Sequence, residues 1–321
     1  MFFRNLTLYR FNPAILTGHD LRDELTEHTL RDVGPLELST SGFVSPYGKG
    51  HDELVQHVGG FDLIAIGTHE RLLPSDVIAE ELSKRIDKID AATGRKPGAR
   101  ERKRLKEEII TDLLPRAFVR ESKVRAYLDV FQGWLVVDTA SRPMAEHVVV
   151  MIRQALGSFP CVPMSPDESP RMLMTDWVAR GKLPQSLQLG DACELRDPVE
   201  AGAIVRCAHQ ELESDEVREH LKSGKCVYRL ALSYSDRVSF TLSEDLIVRR
   251  LRFLDVVQDE LEAQDSQREE LDATFVLMSM ELRGFLDWMA STFGINAAPK
   301  LKLDGGDAPK HMRDVEHASD E

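Results

Sequence analysis

Hydrophobic positions along this chain switch between a period near two and a period near three and a half, and the switches mark its elements. Residues 3–11 interleave aromatic and aliphatic side chains with polar ones until Asn12-Pro13, which predicts a first strand. Residues 20–30 carry Leu21, Leu25 and Leu30 at near-helical spacing and predict a short amphipathic helix. Residues 42–50 are rich in turn formers and lead through residues 51–58 to a buried strand at 61–67. Pro74-Ser75 opens a helix with Ser75 as its cap and Ile78, Leu82, Ile86 and Ile89 as its apolar stripe. A second helix over residues 99–114 repeats Leu105, Ile109 and Leu113 until Pro115 stops it. Together they predict a helical hairpin whose turn runs from Gly94 to Gly98.

Beyond the hairpin, residues 123–131 and 134–137 read as two strands joined by Gln132-Gly133, and Ser141 caps a helix that Gly157 ends. Pro160, Pro163, Pro166 and Pro170 crowd the best boundary in the chain. The second half alternates strands at 203–208, 226–234, 237–242 and 246–253 with short helices at 175–180 and 214–224. A long helix then carries Phe275, Met278, Leu282, Phe285, Leu286, Met289 and Phe293, a stripe wide enough to dock on a sheet. The fold class expected is α+β, with antiparallel sheets and flanking helices. Its parts are an N-terminal lobe of residues 1–73 and 122–160, an inserted basic helical finger at 74–121, a sheet-rich lobe at 161–298 and a mobile tail at 299–321.

Composition changes this picture mainly through charge. The chain of 321 residues is 42% hydrophobic, enough for a substantial core, and carries a net charge of −13. Between Lys84 and Lys106, however, ten Lys/Arg stand against three Asp/Glu, a local charge of +7. That concentration suits polyanionic phosphate, and a solvated helix face is the alternative. The turn presents Arg95 and Lys96; Arg100, Arg102, Lys103, Arg104 and Lys106 spread over the first turns of the returning helix, whose positive dipole end disfavours them. Residues 255–272 hold eight acids and one base and would repel DNA. No apolar run approaches the roughly 20 residues of a spanning helix, and the start lacks a signal peptide's apolar core, so an intracellular, soluble protein is expected. Cys161, Cys193, Cys207 and Cys226 form no C-x-x-C pair and are expected as buried free thiols.

Candidate chemistry is sparse, and no catalytic residue, cofactor or metal is expected. Gly48-Lys49-Gly50 lacks the spacing of a phosphate loop, and His51 and His57 share a helical patch only loosely. Glu101-Arg102-Lys103 has the E-x-K form of metal-dependent nucleases, but that form belongs on a strand beside an Asp, and here it opens a helix among bases. A nuclease and a protein-interaction module therefore stand as alternatives. Binding without chemistry needs phosphate partners alone, and the absence of a base-reading motif points to non-specific contact. With aromatics at 7%, duplex is favoured over single strands.

Phe3-Arg4-Asn5-Leu6 with Tyr9-Arg10, Gly42-Phe43-Val44-Ser45-Pro46, Leu73-Pro74-Ser75 with Val77-Ile78, and Leu113-Leu114-Pro115-Arg116-Ala117-Phe118 resemble the bacterial recombination-associated RdgC family. So do Leu156-Gly157-Ser158, Pro160-Cys161-Val162-Pro163 and Thr175-Asp176-Trp177-Val178, in order to about residue 294. The resemblance implies a homodimer closed into a ring whose positively charged central hole admits double-stranded DNA, with little sequence preference, no enzymatic activity and a role in restraining RecA-dependent recombination; weaker binding of single strands is the expectation from the low aromatic content. It implies a cytoplasmic, nucleoid-associated protein with no membrane partner. Arg95, Arg116 and Phe118 fall where the family has a basic finger and its tip, Phe118 as a gate at the subunit contact or, alternatively, a core anchor after a proline. Arg116 and Arg120 are candidate DNA contacts or partners of nearby carboxylates. His209-Gln210 stands where the family has a Lys-Gln pair on the DNA side, and histidine carries less charge than lysine at neutral pH.

Overall fold

Period-two alternation in the first half of the chain sends adjacent residues to two different cores. The computed structural model describes residues 2–199, 202–261 and 266–295. Strands β1 (Thr7–Phe11), β2 (Ser39–Val44), β3 (Val55–Val58), β4 (Phe61–Arg71), β5 (Val119–Asp129), β6 (Trp134–Val137) and β7 (Cys161–Pro163) form one antiparallel sheet. Its order is β2-β4-β5-β6-β1-β7, and β3 pairs with the start of β4. Helices α1 (Leu21–Glu24), α2 (Ser75–Thr93), α3 (Ala99–Leu113) and α4 (Arg142–Leu156) interrupt the strands. Ile64, Ile66, Leu128, Leu135 and Val137 pack in one core with Val148 and Ile152 of α4. Their sequence neighbours Leu63, Tyr127, Trp134 and Val136 line the opposite face and belong to a second, larger core.

That second core joins the sheet to the rest of the chain. Helices α5 (Pro170–Arg180), α6 (Asp215–Lys222), α7 (Asp255–Gln258) and α8 (Gln267–Phe293) accompany strands β8 (Leu187–Arg196), β9 (Ile204–Ala208), β10 (Cys226–Tyr234), β11 (Val238–Ser243) and β12 (Val248–Phe253). These strands form an antiparallel sheet in the order β12-β11-β10-β8-β9. As the apolar stripe predicts, α8 docks on it: Phe285 meets Phe240 and Tyr234 with ring centroids 4.9 and 5.7 Å apart. Phe275, toward the other end of α8, meets Phe61 and Tyr127 of the first sheet at 6.3 and 5.9 Å. The sheets are also tied directly where Leu6 and Val248 exchange backbone hydrogen bonds of 2.8 and 3.0 Å.

The structure departs from the sequence reading where local pattern met a tertiary demand. Instead of a helix over residues 20–30 there is one turn, α1, and a 3-10 turn at Thr26–His28. Leu30 is drawn away onto the sheet, where its amide donates to the carbonyl of Phe43 at 3.0 Å. Gly42 and Phe43, read as loop, belong to β2; a Cβ on Gly42 would lie 2.3 Å from the Leu30 nitrogen. Ser75 is the first helical residue of α2 and caps nothing, since Pro74 holds the cap position. His57 lies on β3 with its Nδ1 against Asp62, so it shares no helical patch with His51. β8 was not foreseen, because Gly190 and Asp191 break its pattern. Gly190 is required there by the approach of Ala231, whose Cβ would stand 2.8 Å from an added one. All four cysteines are free; Cys193 and Cys207 are buried, whereas Cys161 and Cys226 are only partly so. The tail expected at 299–321 lies outside the described residues.

Candidate nucleic-acid interface

The basic segment folds as the helical hairpin its periodicity predicts, inserted between adjacent strands of the first sheet. Ile78 of α2, Leu105 and Ile109 of α3, and Pro97 in the turn are buried, a narrow seam that leaves most of both helices to solvent. Arg85 crosses the seam to Asp112 at 2.5 Å and Glu108 at 3.9 Å. Gly94 ends α2 at φ 68°, a left-handed position that costs glycine little, and its amide donates to Asp90 at 2.8 Å. No side chain caps α3, whose first turn carries Arg100 and Arg102 beside Glu101.

The candidate contacts divide by what they touch. Lys96, Arg100, Lys103, Lys106 and Arg116 are exposed, and no ion pair engages them among the described residues. Arg95 reaches Glu101 at 3.4 Å, Arg104 reaches Glu108 at 3.3 Å and Arg120 reaches Glu70 at 2.5 Å. Arg102 is exposed as well, and its Nε donates to the carbonyl of Pro97 at 3.0 Å. Exposed pairs of this kind contribute about 0–1 kcal/mol each, so a phosphate can compete for the paired arginines. Glu101, the acid of the E-x-K triplet, is on a helix and faces Arg95.

A β-ribbon carries the hairpin. β4 and β5 pair from Phe61–Asp129 to Arg71–Val119, and the Leu72 amide extends the ladder to the carbonyl of Phe118 at 2.8 Å. Along β5 the side chains pass from buried at residues 126–129 to exposed at 119–123. Arg71, which sequence reasoning passed over, locks the root. Its guanidinium donates to the carbonyl of Leu114 at 2.9 Å, of Ala117 at 3.3 Å and of Gly34 at 3.2 Å. Phe118 sits here with 85% of its surface exposed, so it is no core anchor. Leu72 and Val119 beside it are also exposed, which makes an apolar patch at the hairpin's base.

A second basic surface lies on the open face of the five-stranded sheet. Strand pairing aligns Arg206 of β9 with Glu194 of β8, Glu194 with Arg229 of β10, and Thr241 of β11 with Arg249 of β12. Glu194 is buried and accepts from Arg196 Nε at 2.7 Å and Arg206 Nε at 3.1 Å, with Arg229 Nη1 at 3.6 Å. Burial alone would raise its pKa, but the hydrogen bonds from Arg196 and Arg206 and the charges of Arg196 and Arg229 outweigh burial and lower it. A depression of about 580 Å³ opens here among Arg206, Arg229, Thr241, Arg249 and Arg250. His209 and Gln210 follow β9 directly; His209, at φ 57°, meets Asp191 at 3.0 Å, and the Gln210 amide donates to the Asp191 carbonyl at 3.3 Å. The signal available in the sequence was the polar alternation of strands such as Val-Arg-Arg-Leu-Arg-Phe, residues 248–253.

Among the described residues, no three His, Cys, Asp or Glu stand where they could share a metal ion, and no helix is long and apolar enough to cross a membrane. A family profile described as "Putative exonuclease, RdgC" matches residues 1–296. Curated relatives named "Recombination-associated protein RdgC" match as well. That of Xanthomonas campestris pv. campestris (strain B100) is 45% identical over 286 residues, 88% of this chain and 94% of the relative. That of Xanthomonas axonopodis pv. citri (strain 306) is 45% identical over 88% of this chain and 95% of the relative. For Xylella fastidiosa (strain 9a5c) the identity is 46%, over 88% and 94%. The relatives' names carry no enzyme activity, whereas the profile's description does.

Proposed function

This chain belongs to the RdgC family of recombination-associated proteins, and from that premise we propose that it binds duplex DNA without sequence preference. Its homodimer closes into a ring around the duplex and restrains recombination by limiting RecA's access to DNA, in the cytoplasm at the nucleoid. The inserted segment 74–121 is the finger of each subunit. The observation that carries this reading is the set of exposed, unpaired cations on the hairpin of an otherwise acidic chain, Lys96, Arg100, Lys103, Lys106 and Arg116. Such side chains, on an exposed helix with no base-reading partners, address phosphates rather than base edges. Arg95, Arg102, Arg104, Arg120, His209 and Gln210 complete the DNA side. Phe118 supplies the subunit contact: a phenylalanine 85% exposed beside Leu72 and Val119 gains from being covered.

Titration of a random-sequence duplex across a series of salt concentrations tests the reading. Each phosphate neutralised contributes about 0.9 to the slope of log K against log salt. Replacing Lys96, Arg100, Lys103 and Lys106 with Ala together should make that slope shallower by about 3.6. An unchanged slope would remove the hairpin from the interface, and an acidic protein partner would then be the better match for it. The family description names an exonuclease, which favours a second reading, and the E-x-K triplet makes Glu101 the acid that a metal-dependent nuclease would use. Incubation of linear and closed-circular duplex with the protein and Mg²⁺ decides between them: sustained digestion of either, abolished by Glu101→Ala, would establish the nuclease, and digestion of the linear duplex alone would make it an exonuclease.

A further inference from the structure

A cavity of about 740 Å³ opens between the loop of residues 45–54 and the ribbon that carries the hairpin, and nothing assigned above uses it. Its deeper wall is apolar, made by the half-buried Leu30, Val44 and Leu54 around Gly67. Gly67 has to stay bare, since a Cβ there would stand 2.7 Å from Leu30 Cδ2 and 2.9 Å from Val44 Cγ1. Its mouth is polar: Lys49 and Lys123 bring two ammonium groups, His51 and His69 two imidazoles, and Thr29 and Ser122 two hydroxyls. Size and mixture are those of a small-molecule site, an apolar chamber with a few convergent polar groups.

Two lining residues lack the partner their chemistry asks for. Ser45 is 7% exposed, and its Oγ has no hydrogen-bond partner among the described residues, although buried hydroxyls are nearly always paired. Lys123 has neither a hydrogen bond nor an ion pair among the described residues. Desolvation and the charge of Arg125 both lower its pKa, so an anion is what this ammonium is missing. The acids at the mouth are Glu121, which Lys49 holds at 3.1 Å, and the exposed Asp52, and neither pairs with Lys123. The loop itself is already set by α8. Tyr47 donates its hydroxyl to Asp272 at 3.1 Å, while Arg268 stacks over the Tyr47 ring at 4.6 Å and pairs with Glu53 at 2.6 Å. Gly48 and Gly50 supply left-handed bends at φ 113° and 91°.

Ammonium and hydroxyl groups over an apolar chamber suit a molecule that is anionic at one end and a flat ring at the other. A duplex offers the first but keeps its rings stacked, and would leave the chamber unfilled. We propose that this cavity binds a free nucleotide, with its phosphates against Lys49 and Lys123, its sugar near Thr29 and Ser122, and its base against Leu30, Val44 and Leu54. The site lies on the ribbon rungs from Gly67–Lys123 to His69–Glu121, immediately below the Glu70–Arg120 and Arg71–Val119 pairs at the hairpin's root. A bound nucleotide therefore stiffens the segment between the body and the hairpin and acts as an effector of the hairpin, whatever the hairpin itself binds.

The test titrates the full chain into N-methylanthraniloyl-ATP by fluorescence anisotropy, with unlabelled ATP, pyrophosphate and random-sequence duplex as competitors. Saturable binding is expected, displaced by ATP and about tenfold less well by pyrophosphate, which lacks the ring. Lys123→Ala should weaken ATP binding about tenfold. Leu54→Ala should weaken ATP and leave pyrophosphate unchanged, and replacing Lys96, Arg100, Lys103 and Lys106 with Ala together should leave both unchanged. Hydrogen exchange over residues 119–123 should slow when ATP is added. Circular dichroism checks that each variant is folded, and if Leu54→Ala is not, the comparison of ATP with pyrophosphate decides the role of the apolar wall. Lack of saturable binding at millimolar ATP, equal displacement by pyrophosphate, unchanged affinity in Lys123→Ala, or loss of binding in the hairpin variant overturns the proposal. So does displacement by duplex that Lys123→Ala abolishes, which would give the mouth to DNA instead. Binding without slower exchange at residues 119–123 overturns the effector role. Each of these outcomes is separate from the salt titration of the hairpin, which can fail or succeed by itself.

Discussion

The hairpin and the open sheet face are both basic, but they reach that state in opposite ways. On the hairpin, cations follow one another in sequence, stand on the turn and two exposed helices, and either pair loosely with a neighbour or, among the described residues, touch no carboxylate. On the sheet, Arg196, Arg206 and Arg229 come from three strands and meet at the buried Glu194, because antiparallel pairing sets Arg206 and Arg229 beside it and Arg196 follows it two positions on, while Arg249 stands on the same face against Ser243. The first arrangement is flexible charge, suited to capture. The second is oriented charge, in which geometry has been fixed before any ligand arrives. The contrast teaches that a charged surface has to be judged by what fixes its side chains as well as by how many charges it holds.

The sharpest way to break the contrast is to remove one carboxylate from each region. Glu194→Gln leaves several charged hydrogen bonds unmade and should lower unfolding stability by about 2 kcal/mol in urea titration. Glu108→Gln on the exposed hairpin should lower it by about 0.5 kcal/mol or less. Equal losses would erase the distinction between fixed and loose charge. Proton titration asks the same question. Because the pKa of Glu194 is depressed in the folded state, its stabilisation is present above the unfolded carboxylate pKa and is lost as pH falls through the folded value. Thermal unfolding across a pH series should therefore separate the unmodified chain from Glu194→Gln near neutral pH, and the two curves should converge in acid, below the ordinary carboxylate range.

Next in size is Arg71→Ala, which removes the donor to the carbonyls of Leu114 and Ala117 at the hairpin's root and of Gly34, and should cost about 1 kcal/mol. The loss should be local: hydrogen exchange should accelerate in α2 and α3 and stay unchanged in β10. Acceleration throughout would mean that the hairpin and the sheets unfold as one unit. The smallest effect on folding belongs to Phe118→Ser, within about 0.5 kcal/mol for so exposed a side chain. Sedimentation should nevertheless show weaker self-association, and an unaltered dimer would take Phe118 out of the subunit contact.

Much of this molecule was legible in one dimension. Apolar repeats placed α2, α3, α4 and α8, since a helix buries a stripe set by residues three and four apart and needs no distant partner to define it. The excess of charge over residues 84–106 was equally plain, because the hairpin keeps it contiguous. Elements whose shape depends on something far away were not. Leu30 left its expected helix for the backbone of Phe43, and β8 carries a glycine whose only reason is Ala231, some forty positions on. Phe118 was open between core and surface, and only the ribbon that lifts it beyond the sheet settled it as exposed.

The sequence by itself thus determined where the long helices α2, α3, α4 and α8 lie, that one segment is basic within an acidic chain, and which family's motifs run through it. Tertiary structure alone decided which of the hairpin's cations are left without a carboxylate among the described residues, and that Arg196, Arg206 and Arg229 converge on Glu194. The physical reason is that helical spacing and charge excess are local sums along the chain. The partner of a given guanidinium, by contrast, is set by strand register, which brings together residues that the sequence keeps dozens of positions apart.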